Sequence, residues 1–203
     1  MASQLVHLMR VLSWNDYPRQ SSPAPGPNET KFGALTATMI KPSGWGVEPI
    51  PGTKLSRLRD SVTVTVEFVK EQSWVEDWVF TKPQAFQDDL LTHEQGHYKL
   101  AALLARDAFL AFMQLKSKQY AHSQDLQKDL NQITSNILSK AGALDKKYED
   151  ETQNGTVANK QAQWSGFIQT AFTTPANPPQ STPDGTPVKI PILTVLAQSG
   201  VNL

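Results

Sequence analysis

The clearest alternation of apolar and polar positions lies in residues 61–69, SVTVTVEFV. Val62, Val64, Val66 and Phe68 share one side, and Thr63, Thr65 and Glu67 share the other. That period of two marks a strand with one face in the core. Upstream, KFGALTATMI (31–40) is rich in small and β-branched residues and reads as another strand, preceded by a loop over PRQSSPAPGPNE (18–29). The period then lengthens. Phe86, Leu90, Leu100, Leu104, Ala108, Phe112 and Leu115 recur at helical spacing and predict a helix from just after Phe80 to about Tyr120. Thr81 and Gln84 fit a capping box, with Pro83 in the first turn where it is tolerated. After a break near AHSQ (121–124), a second helix carries Leu126, Leu130, Ile133, Ile137, Ala141, Leu144 and Tyr148 on one side. It should end near Asn154-Gly155, a pair suited to a C-cap. Together the two helices make a hairpin.

Proline sets the outer limits of this organisation. Seven prolines lie in residues 18–51, only Pro83 falls between 52 and 174, and six follow from 175 to 191. Long helices are therefore confined to the middle, because proline breaks helix interiors. The last part begins with an amphipathic piece, KQAQWSGFIQTAF (160–172). The loop TTPANPPQSTPDGTP (173–187) and an apolar tail, VKIPILTVLAQ (188–198), follow. Pro191 predicts an edge strand or extended packing segment for that tail. The fold class expected is α+β, with a small N-terminal antiparallel sheet packed on a long helical hairpin. Residues 1–172 would form one domain and 173–203 a Pro-rich loop and extended tail. An edge strand near 61–69 could align an extended peptide.

Composition narrows the functional classes. Apolar residues make up 39% and charged residues 19% of the 203 residues, ordinary proportions for a globular chain. The formal net charge is zero, so nothing points to nucleic acid or an anionic membrane as partner. No apolar run approaches the ~20 residues of a membrane span, and no secretory signal is visible at the N-terminus. The chain as it stands reads as cytoplasmic. With no cysteine, it has neither disulfides, nor a thiolate metal site, nor a cysteine nucleophile.

The chemistry lies in LLTHEQGHYKLAAL (90–103), where His93, Glu94 and His97 form an H-E-x-x-H arrangement. On a helix the two histidines project side by side and can reach one ion, on or beside the buried stripe. Zinc accepts neutral imidazole nitrogen and keeps an open position for water when catalytic. Glu94 would face that water as general base. A chance match would instead leave two incidental histidines on a purely structural helical hairpin. Gly96 is the only glycine between residues 53 and 141, and in mid-helix it costs about 1 kcal/mol relative to alanine. Another backbone or a ligand passing close to the helix would explain it.

Helix geometry locates a third ligand. If the chain turns near residue 121, residues near 147 lie opposite residue 95, since both helices rise about 1.5 Å per residue. Asp145, Tyr148, Glu149 and Thr152 form one stripe there. Glu149 or Asp145 could complete the site, and Tyr148 could hydrogen-bond a developing oxyanion. The same arithmetic disfavours His122, at the turn, and Asp107, about 15 Å along the helix from His97.

LSWNDY (12–17), VEFVKEQSW (66–74), LLTHEQGHYKLAALLAR (90–106) and YEDETQNGTVANKQAQW (148–164) occur in an order that resembles the "domain of unknown function 922" family. The resemblance covers roughly residues 12–170. It implies a bacterial protein of a kind often exported, and a zincin-like zinc-dependent peptidase acting on a peptide or protein substrate with one Zn2+ per chain. The family's downstream motif, Y-D-x-x-T-x-H-G, is altered here. Glu149 stands at its aspartate position and Asn154 at its histidine position. The resemblance then implies either a His93, His97, Glu149 ligand set with Glu94 and Tyr148 as catalytic residues, or a set lacking its third ligand. The latter would be a catalytically inactive peptidase-like binding protein with weak or no metal.

Overall fold

The structure is a computed structural model that describes residues 3–24, 26, 32–59, 61–179, 181, 185 and 187–203. Parts of the loops expected at 18–29 and 173–187, and the start of the strand expected at 31–40, lie outside the described residues. The architecture is α+β, with three small sheets, four longer helices and a short fifth among the described residues.

The strands are β1 (Gln4–Val6), β2 (Arg19–Gln20), β3 (Ala34–Leu35), β4 (Thr38–Ser43), β5 (Val47–Pro49), β6 (Ser56–Leu58), β7 (Thr63–Phe68) and β8 (Trp74–Glu76). The alternation that predicts β7 is realised. Val64 and Val66 are fully buried and Phe68 nearly so, while Thr63, Thr65 and Glu67 stay partly exposed. Two expectations need correction. β7 is not an edge strand, because it lies between β1 and β4. The sheets are not purely antiparallel either. β1 runs parallel to β7 and β2 parallel to β8, while β4, β3 and the β5–β6 hairpin pair antiparallel. The outer strands of the main sheet are β1 and β4.

Helix α1 (Gln84–Leu115) is the axis of the molecule. Its capping box does not form. Thr81 closes a preceding 3-10 turn and its hydroxyl donates to the Trp78 carbonyl, so Pro83 takes the N-cap position. The helix stops short of Tyr120 because Tyr120 exchanges backbone hydrogen bonds of 2.9 and 2.8 Å with Ser56, which needs extended backbone. The return path consists of α2 (Ser123–Ile137) and α3 (Ala141–Thr152), separated by a 3-10 turn at Leu138–Lys140 rather than forming one helix. Helix α4 (Ala158–Thr173) matches the amphipathic piece expected there.

The tail differs most from expectation. Residues Ile192–Gln198 form a helix, α5, with Pro191 as N-cap at φ −60°. Ile192, Val195 and Leu196 fit helical spacing and are buried, so the apolar residues select helix and proline only sets where it starts. α5 packs on α4 and α1.

These contacts produce two apolar cores with α1 between them. One includes Val64, Val66, Tyr98, Ala105 and Leu126, and the other Leu100, Leu104, Leu144, Tyr148, Trp164 and Leu196. A helix covered on both sides buries polar positions that a single apolar stripe would leave in water. His93, Glu94, Gln95, His97, Arg106 and Asp107 are all buried. Gln95 is used structurally: its side chain accepts from the Leu12 amide at 2.7 Å and donates to the Arg10 carbonyl at 3.1 Å. Arg106 donates to the carbonyls of Ala171 and Ile190 and to Asp107, and Asp107 accepts from the Ile192 amide. That pair fastens the ends of α4 and α5 to the central helix.

Candidate metal centre

Two turns of α1 present His93 and His97 to α3. Their Nε2 atoms lie 3.0 Å apart. Glu149 Oε2 is 2.9 Å from His93 Nε2 and 3.3 Å from His97 Nε2. Among the described residues, His93, His97 and Glu149 are the histidine and acidic side chains grouped closely enough to hold a metal ion. The return-helix register read from the sequence therefore brings together the residues it named.

Each histidine has a partner on its other nitrogen. His97 Nδ1 lies 2.6 Å from Asp145 Oδ1. His93 Nδ1 lies 3.2 Å from both Thr152 Oγ1 and Gln161 Oε1. The Thr152 hydroxyl donates to the Tyr148 carbonyl at 2.7 Å, which leaves its oxygen free to accept from His93. These partners can each accept an Nδ1–H, and both Nε2 atoms are turned toward Glu149. Such outer partners fix tautomer and ring orientation at metal sites.

Two imidazole nitrogens and a carboxylate oxygen facing one another need positive charge between them. In the metal-free chain a proton supplies it. Burial opposes charging His97, but hydrogen bonds to Asp145 and Glu149 and the charge of Glu94 outweigh it, and its pKa is pushed up to about 10. Burial likewise favours neutral Glu149, yet the two histidines hold its carboxyl well below the usual carboxylate range.

Glu94 is on the adjoining face of α1, 1% exposed. Burial pushes its pKa up against the pull of both histidines and a hydrogen bond from Thr36. Its Oε2 has no hydrogen-bond partner. Thr36 is itself 2.7 Å from the buried Tyr17 hydroxyl, so a chain from Tyr17 through Thr36 orients Glu94. No local sequence pattern marks Thr36, Gln161 or Tyr17 for this centre, since they come from a loop, a later helix and the residue after a 3-10 turn.

Tyr148 takes a different place from the one expected. Its ring is fully buried, stacks on His93 at 4.8 Å with an 11° interplanar angle, and meets Trp164 edge-on at 5.4 Å. Its hydroxyl donates to the His93 carbonyl at 3.1 Å and lies within hydrogen-bond distance of the Gln161 amide. The tyrosine therefore packs against both histidines, with its hydroxyl engaged by the His93 carbonyl and Gln161. It also explains Gly96, because a Cβ there would run into the Tyr148 hydroxyl and lie 2.6 Å from Cζ. The close neighbour at Gly96 is thus a side chain, not a backbone or ligand.

The turn after α3 supports Glu149. Gln153, Asn154 and Gly155 have φ of 47°, 56° and 77°. Asn154 donates its amide to Glu149 Oε1 at 3.0 Å, and a Cβ at Gly155 would lie 3.0 Å from His93 Cβ. The Asn154 side-chain oxygen is buried without a partner. His122, at the start of α2, and Asp107, paired with Arg106, take no part in the centre.

Residues 12–155 match the family described as bacterial protein of unknown function (DUF922). The chain belongs to that family. The match takes in His93, Glu94, His97 and Glu149, and it ends before α4, which supplies Gln161. No curated protein and no solved structure matches the chain. Among the described residues, no helix is long and apolar enough to cross a membrane.

Proposed function

We propose that this chain is a zinc-dependent metallopeptidase of zincin-like architecture, with His93, His97 and Glu149 as metal ligands and Glu94 as general base. The observation that carries this reading is the convergence of two Nε2 atoms and one carboxylate oxygen beside a buried glutamate oxygen that has no partner. Tetrahedral zinc with ligand bonds of roughly 2.0–2.2 Å sets its ligands about 3.3 Å apart, close to the 2.9–3.3 Å spacings here. Two imidazoles and a carboxylate are a donor set of catalytic zinc sites.

Zinc held there would lower the pKa of a water and polarise a scissile carbonyl. Glu94, whose Oε2 is buried without a partner, would take the proton from the attacking water as the water oxygen adds to the carbonyl carbon. Glu94 then delivers that proton to the leaving amine nitrogen as the C–N bond breaks. Burial raises its pKa above the ordinary carboxylate value, the direction that favours taking up and returning a proton. Asp145, Thr152 and Gln161 hold the imidazoles, and Thr36 with Tyr17 holds the base.

Glu94→Gln tests this. The variant should retain about one zinc per chain through dialysis and lose about 10²–10⁴-fold in hydrolysis of dye-labelled casein. Equal cleavage by both proteins would refute the role of Glu94. A second reading, a catalytically inactive peptide-binding relative with weak or no metal, draws on Asn154 at the family's histidine position and its unpaired oxygen. Loss of all zinc on dialysis, with no casein cleavage, would select it.

A further inference from the structure

A cavity of about 320 Å³ opens beside His97. Leu100, Leu104 and Leu144 line it and are no more than 2% exposed, so they form its depth, with Ala101 beside them. Leu35, 43% exposed, stands at its mouth. The cavity also touches three groups of the metal centre: His97, its partner Asp145, and Thr36, which holds Glu94. Whatever enters it therefore lies next to the position where a bond would be broken. Its volume is at the bottom of the roughly 300–1,000 Å³ range of small-molecule pockets, ample for one large apolar side chain. The charged group on its wall other than the histidine, Asp145, is committed to His97.

We propose that this cavity receives an apolar side chain of about leucine, methionine or phenylalanine size, from the residue flanking the bond that is cut. The substrates would be peptides carrying such a residue at that position. This rests on the metallopeptidase reading for the cutting, but the selectivity is measurable without turnover. Burial of one such side chain favours its ligand by roughly tenfold or more over one lacking it.

The test uses the zinc-loaded full chain and four probes: glycine, leucine, aspartate and lysine hydroxamate, with affinities from titration calorimetry. Leucine hydroxamate should bind at least about tenfold tighter than the glycine compound, with the aspartate compound weakest. Ala101→Leu shrinks the cavity, and Leu35→Asp places an acid at its mouth on an exposed residue. Each should bring the leucine-to-glycine ratio to roughly twofold or less, with zinc content and circular dichroism verifying the fold. A ratio near one in the parent protein overturns the proposal. So does tighter binding of the lysine compound, an unchanged ratio in both variants, or no binding of any probe. If the ratio holds and casein remains uncut, the apolar cavity stands and the peptidase reading falls. If casein is cut with dependence on Glu94 and the ratio is flat, the reverse follows.

Discussion

Gly96→Ala should destabilise the chain although alanine is the better helix former. The substitution gains about 1 kcal/mol of helix propensity. Against that gain, the new methyl would run into the Tyr148 hydroxyl and lie 2.6 Å from Cζ and 3.1 Å from Cε1. The ring cannot swing aside, because it is stacked on His93 at 4.8 Å and stopped by Trp164 at 5.4 Å. Overpacking of this kind costs about 1–3 kcal/mol, and it falls on the tyrosine stacked against His93. Set against the propensity gain, the net expectation is a loss of up to about 2 kcal/mol, or up to about 8 °C in Tm for a chain of this size. Zinc affinity should fall about 10-fold or more as His93 shifts. Urea denaturation of the metal-free chain and a competitive chelator titration measure the two effects. Tyr148→Phe supplies the internal control, since it removes the clashing hydroxyl at a cost of about 1 kcal/mol in lost hydrogen bonding. In that background Gly96→Ala should cost about 1 kcal/mol less. A variant as stable as the parent, with the same effect in both backgrounds, would refute the explanation of Gly96.

Two further outcomes follow from buried polar groups. Thr152→Val removes one partner of His93 Nδ1 and should weaken zinc binding about 10-fold, with Asp145→Asn doing the same through His97, both read by chelator competition. Asp107 gives a pH signature. Burial outweighs its pairing with Arg106 and pushes its pKa up to about 6 from 3.8, so the native state binds more protons than the unfolded state between those values. Its contribution to stability must then decline as pH rises through that window. The parent-minus-Asp107→Asn difference in unfolding free energy should fall between pH 4 and about 6. A constant or rising difference would contradict the assignment.

The clustering of His93, His97, Asp145 and Glu149 was legible in the sequence because helix geometry is regular. His93 and His97 meet because residues four apart share a face, and Glu149 and Asp145 meet them because antiparallel helices advance at equal rates. That register survived the 3-10 interruption at Leu138–Lys140. The strand alternation of Val64, Val66 and Phe68 was equally local. Long-range partners left no such trace. Thr36 reaches Glu94 from the approach to β4, and Gln161 reaches His93 from α4, through packing that no period records. The expected capping box failed for a related reason, since the hydroxyl of Thr81 found a nearer acceptor in Trp78. Pro191 misled by its type, because the same residue that excludes a strand interior also begins a helix well.

The Arg106–Asp107 pair bears on the order in which the molecule can be completed during synthesis. The hydrogen-bond needs of these two side chains, in the C-terminal half of the central helix, are met by each other and by Ala171, Ile190 and Ile192. A ribosome delivers those residues long after α1 has emerged. Until then the helix carries a charged pair whose remaining donors and acceptors are filled only by water, in a region that later becomes dry. Nascent chains are thus held short of a finished interior until α5 arrives, and a chain stopped before Ile192 would present that defect to quality control.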